Sequence, residues 1–173
     1  MAKNILIFTG DGKGKSTASF GMALRAVGHG QRVLILQFMK SDSSTGELVG
    51  LREKLGVDIR QTGLGFVPKQ DHPKYVAHRE AAQAAFALAS QAMGSGDYDL
   101  LILDEICGAV TCGLLDEQQV LDVVQESRDD LNIVLTGRGA TTGMIELADT
   151  VTEMIPLKHA LEAGIPAREG IEF

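Results

Sequence analysis

The sequence has no tryptophan, two tyrosines, two cysteines and four prolines in 173 residues. Two cysteines in a chain with no recognisable export signal indicate reduced thiols, so we expect a cytoplasmic protein without a disulfide framework. Basic residues are also in the minority, since 16 Lys and Arg against 23 Asp and Glu give a net charge of −7. That balance argues against nucleic acid or an anionic membrane as a partner, because both require basic patches.

Long hydrophobic runs are absent from the start of the chain. The longest early run, Ile5–Phe8, is far too short for a signal peptide or a membrane-spanning helix. Hydrophobic residues nevertheless make up 45% of the chain. A chain of this length buries roughly 70% of the surface that its unfolded form exposes. We therefore expect a single domain over residues 1–173 with a substantial core.

Six short apolar runs recur at wide intervals, separated by segments of helical length. Most are continuous rather than alternating, which is typical of strands covered on both faces. The runs are Ile5–Phe8, Val33–Phe38, Val57–Ile59, Leu100–Leu103, Ile133–Leu135 and Val151–Ile155. Strands that alternate with helices predict an α/β protein whose mainly parallel sheet carries helices on both faces.

Helical spacing and cap residues predict three helices. Two cover Ser16–Val27 and Tyr75–Met93, and a third begins after Asp116, with Gln119 completing a capping box. Two stretches between these elements are the least regular, Lys40–Gly46 and Thr62–Lys74. Long loops in a small α/β domain are usually functional or mobile.

The strongest motif is TGDGKGKST at residues 9–17, which follows a predicted strand and opens a predicted helix. Its glycines allow successive backbone N–H groups to point at phosphate oxygens, and the helix adds its positive N-terminal end. Lys15 would reach the outer phosphates, and the Ser16 hydroxyl would ligate Mg²⁺ or Mn²⁺. The candidate nucleotide-binding residues of this phosphate loop are Gly10, Asp11, Gly12, Lys13, Gly14, Lys15, Ser16 and Thr17.

One position departs from the strict phosphate-loop pattern. Thr9 stands five positions before Gly14, where the pattern has glycine, and Gly10 and Gly12 supply the flexibility instead. The alternative interpretation is a glycine-rich turn that binds nothing. Because Lys15 and Ser16 are in register, we favour a phosphate site.

A protein of net charge −7 that binds a triphosphate needs local positive charge, and the candidates for it are Lys13, Lys15, Arg25 and Arg138. Arg25 lies about three turns into the first predicted helix, so it must reach back or serve a neighbouring subunit; otherwise it is a solvated surface residue. Arg138 lies in LTGRG at residues 135–139, a second strand followed by a glycine turn. It could clamp phosphates, or be an exposed turn residue.

Two carboxylates, Asp104 and Glu105, follow a buried strand. At the carboxyl edge of a parallel sheet they would face the phosphate loop. One would hold the metal together with Ser16, directly or through water, and Glu105 could be a second ligand or orient a water. The alternative is a pair of solvated acids. The motifs alone leave phosphoryl transfer, nucleotide hydrolysis and attack elsewhere on ATP all open.

The ordered set of motifs resembles the P-loop-type ATP:corrinoid adenosyltransferases, essentially end to end. Besides the phosphate loop and the Asp-Glu pair, it includes ALRAVGHG at 23–30, Gln37-Phe38, Gly65-Phe66, residues 135–139 and 151–154, Lys158-His159 and residues 170–173. The resemblance implies a P-loop NTPase-like, RecA-like fold. It also implies that Co(I) of a corrinoid, cob(I)alamin or cob(I)yrinic acid a,c-diamide, attacks the 5′ carbon of ATP and expels triphosphate, in B12 coenzyme biosynthesis or salvage.

The alternatives are a magnesium-dependent ATPase or kinase and a non-catalytic nucleotide- or corrinoid-binding module. The resemblance gives catalytic roles to two residues. Lys15 would neutralise charge on the leaving triphosphate, and Phe66 would help hold the corrinoid without a lower axial ligand. Otherwise Phe66 is an ordinary loop anchor packed on the core. A homodimer and a flavoprotein reductant are also implied.

Three residues differ from those of many relatives. Pro68 stands in place of a tryptophan, Cys107 in place of an asparagine, and Asp11 replaces an asparagine in the phosphate loop. We expect the first two to alter corrinoid contacts rather than ATP binding. The chain starts only a few residues before its first predicted strand, without the N-terminal arm that covers the site in some relatives. We therefore expect either weaker shielding of the corrinoid or help from another segment, such as the tail after Pro156.

Overall fold

The computed structural model describes residues 3–42 and 45–171, so Glu172 and Phe173 of the C-terminal motif lie outside the described residues. The strands are β1 (Ile5–Thr9), β2 (Val33–Gln37), β3 (Asp58–Gln61), β4 (Leu100–Asp104), β5 (Asn132–Thr136) and β6 (Thr150–Glu153). The helices are α1 (Lys15–Gly28), α2 (Gly46–Leu48), which continues as a π-helical segment (Val49–Lys54), α3 (Tyr75–Ser95), α4 (Ile106–Thr111), α5 (Glu117–Gln125), α6 (Thr142–Leu147) and a 3₁₀ helix (Ala160–Ala163).

The six strands form one sheet in the order β3-β2-β4-β5-β1-β6. Every neighbouring pair is parallel. The predicted parallel sheet is therefore confirmed, and each predicted strand is present with ends that differ by no more than two residues. This order places β5 between β1 and β4, so the strand that leads into the phosphate loop and the strand that ends in Asp104 are not direct neighbours.

The core has two layers, one on each face of the sheet. Alternate residues of β2 divide between them, with Leu34 and Leu36 in one layer and Val33 and Ile35 in the other. Helix α3 covers the first layer and α1 the second. All five residues of β2 and of β4 are buried, which explains their continuous apolar sequence. The prediction of helices on both faces is confirmed.

The three predicted helices are all present, whereas the short ones were not predicted. Helix α5 follows Asp116, whose side chain accepts a hydrogen bond from the Gln119 N–H at 2.9 Å, as a capping residue should. Helices α4 and α6 have six residues each, fewer than two turns, so their sequences carry no repeating apolar face. The stretch Thr62–Lys74 contains neither helix nor strand, as predicted.

Across residues 3–42 and 45–171, the structure has no helix with the length and hydropathy that crossing a membrane requires.

Candidate active site

The phosphate loop connects β1 to α1 and packs against the end of β6. Gly12 N–H donates to the Met154 carbonyl oxygen at 2.7 Å. A Cβ on Gly10 would lie 2.5 Å from that oxygen, and one on Gly12 would lie 2.8 Å from it, so larger residues would collide with backbone. Gly10 and Gly14 also have φ values of 93° and 108°, which glycine adopts readily. The loop thus needs its glycines for both its path and its packing.

Thr9, which occupies the position of the missing first glycine, has a structural role of its own. Its hydroxyl accepts a hydrogen bond from the Ala140 N–H at 3.2 Å, and its carbonyl oxygen accepts one from the Met154 N–H at 2.8 Å. The hydroxyl that the departure from the strict motif introduces therefore ties the end of β1 to the segment after β5, whereas the bond to Met154 uses the backbone alone.

Lys15 is buried inside the loop, at the first residue of α1. Its ammonium donates to the carbonyl oxygens of Gly10 at 2.7 Å and Gly12 at 2.8 Å. Burial lowers the pKa of Lys15 from its usual value, and the negative charge of Glu105 opposes that shift. An ammonium in the centre of the loop is where a phosphate-binding lysine is needed.

Asp104 is fully buried at the end of β4, and four side chains converge on its carboxylate. The hydroxyls of Ser16 and Thr136 donate to Oδ1 at 2.7 and 2.8 Å. The Gln37 amide donates to Oδ2 at 3.0 Å, and the Lys40 ammonium lies 3.2 Å from the same oxygen. The structure thus brings Ser16 and Asp104 into direct contact across the intervening strand β5.

Glu105 directly follows Asp104 in an unusual backbone conformation. Its φ of 68° and ψ of 19° are left-handed, which a residue with a side chain adopts at a cost. Its N–H donates to the Thr136 hydroxyl at 2.9 Å. Burial, and then the negative charge of Asp104, raise the pKa of Glu105 from its usual value. Left-handed backbone and disfavoured ionisation together are typical of a functional carboxylate.

The phosphate loop, Lys40 and Glu105 share one cavity of about 240 Å³. It is lined by residues 11–17 of the loop together with Lys40, Glu47, Glu105, Arg138 and Ile171. Arg138 is largely exposed, and its Nε lies 3.8 Å from Asp11 Oδ1. Of the two predicted arginines, the structure brings Arg138 to the loop and places Arg25 in the last turn of α1, exposed and about 15 Å along the helix from Lys15.

A second cavity, of about 370 Å³, adjoins the outer side of the loop. It is lined by Gly12, Lys13 and residues 155–160. Leu157 in this segment is 94% exposed. The tail after Pro156 therefore passes beside the phosphate loop, and Ile171 returns to the first cavity.

Phe66 lies on the loop that follows β3, at the same edge of the sheet. Gly63 N–H donates to the Gln37 carbonyl oxygen at 3.2 Å and Gly65 N–H to that of Met39 at 3.0 Å, so this loop is tied to the end of β2. The Phe66 side chain is 94% exposed, whereas Val67 packs against the core. The interpretation of Phe66 as an anchor packed on the core is wrong.

Three residues of the site carried no predicted role: Gln37, Lys40 and Thr136. The sequence offered one signal, since Gln37 and Thr136 are polar residues that directly follow apolar runs of their strands, as Asp104 does. All three strands are parallel, so their ends meet at one edge. Lys40 lies beyond the strand, in a segment without a recognisable pattern.

The described residues offer neither a reactive Cys107 thiolate nor a cluster of three or more metal-binding side chains. Burial raises the pKa of Cys107 to about 12, so its thiol stays protonated, and its side chain is fully buried in the core. In the described part of the chain, no three or more His, Cys, Asp or Glu residues are grouped so as to hold a metal ion.

Comparison with known proteins assigns this site to a family. The family model for ATP:corrinoid adenosyltransferase BtuR/CobO/CobP matches residues 2–173. The chain belongs to this family. Its relatives include the corrinoid adenosyltransferase of Pseudomonas aeruginosa, which is 43% identical over 98% of this chain and 83% of its own length. The corrinoid adenosyltransferase CobA of Salmonella typhimurium is 36% identical over 98% of this chain and 85% of its own.

Solved structures with the same architecture are much more distant in sequence. The RadB recombinase superposes with a TM-score of 0.53 at 11% identity, over 91% of this chain and 77% of its own. A KaiC-like protein from Pyrococcus horikoshii gives a TM-score of 0.50 at 16% identity, over 91% and 74%. At such identities the likeness concerns the fold alone, and it confirms the predicted RecA-like P-loop architecture for this corrinoid adenosyltransferase.

Membership of the ATP:corrinoid adenosyltransferases makes this chain a transferase, and the resemblance inferred from its motifs is confirmed. The phosphoryl-transfer and non-catalytic alternatives are not favoured by its relatives. The match also covers the whole described structure, so the two cavities and the exposed Phe66 all lie within the family region.

Proposed function

We propose that this protein transfers the 5′-deoxyadenosyl group of ATP to Co(I) of a corrinoid, cob(I)alamin or cob(I)yrinic acid a,c-diamide, and releases triphosphate. Co(I) supplies both electrons of the new cobalt–carbon bond. The C5′–O bond of ATP breaks, and its electrons leave with the triphosphate. No protein base is required, because the nucleophile carries no proton to be removed. The observation that carries the proposal is the phosphate loop, with Lys15 at its centre and Arg138 at its rim.

In this reaction the loop stabilises a leaving group. The backbone N–H groups of the glycine-rich turn and the first turn of α1 would contact the phosphates, and the Lys15 ammonium would exchange its two carbonyl partners for phosphate oxygens. Negative charge grows on the triphosphate as the C5′–O bond breaks, so contacts to the triphosphate are stronger in the transition state than in bound ATP. Lys13 and Arg138 line the same cavity and add positive charge.

We also propose that Ser16, Asp104 and Glu105 hold Mg²⁺ or Mn²⁺. Three observations support Ser16 and Asp104 as ligands, and Glu105 lines the same cavity as Ser16. Ser16 Oγ and Asp104 Oδ1 are oxygen ligands 2.7 Å apart. A cation is already present beside them, since the Lys40 ammonium lies 3.2 Å from both side chains. The buried Gln37 Oε1 has no hydrogen-bond partner among the described residues, so it is available to accept a hydrogen bond from a water bound to the metal. A divalent cation there supplies charge neutralisation for the leaving triphosphate.

Phe66 is proposed to contact the corrinoid. An aromatic ring that is 94% exposed at the edge of the sheet is available for a large planar ligand, and its loop is held by hydrogen bonds to β2. The apolar tail segment at 155–157 is a second exposed surface beside the site. We propose that this tail shields the reduced corrinoid from water.

The proposed setting is cytoplasmic, with a flavoprotein as the reductant and a homodimer as the active form. Arg25, remote from its own loop, would then act on a neighbouring subunit or remain a surface residue. Light scattering after size-exclusion chromatography measures the oligomeric state directly, and a monomer at working concentrations would contradict the dimer.

An anaerobic product assay tests the proposed reaction. ATP and chemically reduced corrinoid should give triphosphate and a light-sensitive alkylcobalt product in equal amounts. Cob(I)alamin and cob(I)yrinic acid a,c-diamide are compared in parallel, so that relative kcat/KM identifies the preferred corrinoid. Release of ADP and phosphate would identify an ATPase or kinase instead. Binding of both substrates without any product would identify a non-catalytic module.

Phe66→Ala should impair cobalt reduction and adenosylation more than ATP affinity. Because the ring is exposed, the free energy of unfolding should change by less than about 0.5 kcal/mol. Leu64→Ala, on the same loop and 52% exposed, is the matched control and should have little effect. ATP affinity from calorimetry is compared with the rate of Co(I) formation from a bound Co(II) corrinoid. Equal losses in both would show that the role of Phe66 is assigned wrongly.

A further inference from the structure

Lys40 is the most closely engaged residue of the site that lacks a role in the proposed reaction. It lies three residues beyond the end of β2. Its Nζ is 3.2 Å from Asp104 Oδ2 and 3.2 Å from Ser16 Oγ, to which it donates a hydrogen bond. On another side Nζ lies 5.4 Å from the centroid of the Phe20 ring, a distance typical of a cation–π contact. The ammonium is thus held by two of the side chains proposed to hold the divalent cation.

The ammonium and a divalent cation cannot occupy this place together. Mg²⁺ binds oxygens at about 2.0–2.1 Å, so a metal between Ser16 and Asp104 would lie in the space that Nζ fills. Like charges at such a separation repel strongly where water is largely excluded. The Lys40 side chain is 32% exposed, whereas that of Asp104 is 0% exposed. Lys40 can therefore move toward solvent, and Asp104 remains in place.

We propose that Lys40 is the resident cation of the nucleotide-free site. It neutralises Asp104 and keeps free divalent cations out until the polyphosphate of ATP attracts its ammonium, and the divalent cation then takes the vacated position. This inference rests on the metal site of the proposed function. Lys40 lines the same cavity as Lys15 and Arg138, so phosphate oxygens bound there would give the displaced ammonium a new anionic partner.

A coupling between metal and polyphosphate follows from this exchange. Without polyphosphate, the metal must displace the Lys40 ammonium from Asp104, and no other anion is present to bind that ammonium. With polyphosphate bound, the Lys40 ammonium contacts phosphate oxygens instead, so the metal displaces nothing. Each ligand therefore raises the affinity for the other by the same factor, because binding linkage is reciprocal. If Lys40 only supported the structure of the site, its removal would lower the affinity for the metal, whereas removal of a competing cation should raise it.

Two titrations of the full-length protein measure this coupling. Electron paramagnetic resonance counts free Mn²⁺ in the absence of polyphosphate, and calorimetry measures tripolyphosphate affinity with and without Mn²⁺. Lys40→Met should bind Mn²⁺ alone about 5- to 10-fold more tightly than wild type, and the effect of Mn²⁺ on tripolyphosphate affinity should shrink by a similar factor. Lys40→Arg keeps the charge and should exclude Mn²⁺ as wild type does. Lys54→Met, which changes an exposed lysine on the π-helical segment, is the matched control.

Two outcomes overturn the inference, and they are distinguishable. If Lys40→Met binds Mn²⁺ as wild type does, or more weakly, with an unchanged melting temperature, Lys40 does not compete with the metal. If adding Asp104→Asn to Lys40→Met leaves Mn²⁺ binding intact, the metal site itself is wrong, and the role of Lys40 fails with it. The adenosyl-transfer reaction is judged separately by its products.

Discussion

Lys15 makes the sharpest prediction at the scale of single residues. Lys15→Met removes the charge and the two hydrogen bonds to the loop but keeps an apolar stem in the buried position. We expect kcat/KM to fall by about 10²–10³-fold or more, the loss found when one preorganised donor to a developing negative charge is removed. Steady-state adenosylation at saturating corrinoid is the measurement, with Lys54→Met as the control.

Circular dichroism should show that Lys15→Met remains folded, because the Lys15 ammonium donates to carbonyl oxygens of the loop, Gly10 and Gly12, rather than to groups of the core. If Lys15→Met is folded and adenosylates corrinoid at the wild-type rate, the proposed role of the phosphate loop in the reaction is wrong.

The left-handed backbone at Glu105 predicts that glycine is more stabilising than alanine at this position, the reverse of the order within a helix. Because a β-carbon costs about 1–2 kcal/mol in that conformation, Glu105→Gly should be more stable than Glu105→Ala by about 1 kcal/mol. The same pair of changes at Glu80, exposed within α3, should favour alanine by a similar amount. Urea denaturation of the four variants measures both differences. The same sign at both positions would show that the Glu105 backbone is not strained.

Glu105 should also make the stability of the protein depend on pH. Its pKa is raised by burial and by the charge of Asp104, so the folded protein disfavours the ionised form. The stability associated with the protonated carboxyl is complete below its ordinary value of 4.5 and is lost as pH rises through the raised value. The difference in unfolding free energy between Glu105→Gln and wild type should therefore be more in favour of Glu105→Gln at pH 7 than at pH 4. Urea denaturation at both pH values tests this; an equal difference at both would contradict it.

Residues of the site were predictable where their signal was local. The phosphate loop is continuous in sequence, so Lys15 and Ser16 could be assigned from the motif and its position between a strand and a helix. Gln37, Lys40 and Thr136 could not, because they meet Asp104 only through the order of strands in the sheet. Arg25 was a candidate by its charge, and its predicted position three turns into α1 already placed it far from its own loop, where the structure has it.

At the scale of elements, the loop after β3 depends on close backbone packing. A Cβ on Gly63 would lie 2.3 Å from the Met39 carbonyl carbon, so Gly63→Ala must displace either this loop or the end of β2. We expect a loss of about 1–3 kcal/mol in unfolding free energy, as for other overpacked sites, with reduced corrinoid turnover because Phe66 moves with the loop. Gly21→Ala is the control, since nothing lies within 4 Å of its Cβ position in α1.

Gly21→Ala should itself be more stable than wild type by about 0.5–1 kcal/mol, because alanine is the better helix former. Thermal denaturation and the anaerobic assay are applied to both variants. Full activity in Gly63→Ala would mean that the position of this loop does not matter for the corrinoid.

Elements were predictable in proportion to their length and periodicity. The continuous apolar strands and the long helices α1 and α3 repeat their pattern often enough to be recognised. Helices α4 and α6 and the π-helical segment Val49–Lys54 have six residues each, which is too few for a repeating apolar pattern to be recognised. The capped start of α5 was predictable because a single side chain, Asp116, determines it.

For the whole molecule, substrate binding should appear as added stability. A ligand that binds only the folded state stabilises it by about 2.7 kcal/mol at 100 times its Kd. Magnesium with tripolyphosphate should therefore raise the melting temperature of wild type and leave that of Lys15→Met nearly unchanged, because Lys15 lies at the centre of the proposed phosphate site. Differential scanning calorimetry measures both. An equal rise in both proteins would indicate anion binding elsewhere.

The contact between Gly12 and Met154 has a consequence for biosynthesis on the ribosome. The phosphate loop is translated among the earliest residues, yet both strands that flank β1 come from the last third of the polypeptide. Nucleotide therefore cannot assist the nascent chain as it emerges, because its binding site is completed only when β6 has left the exit tunnel. Ribosome-bound chains that stop before Met154 should fail to retain immobilised ATP, and those extended beyond the tail should capture it.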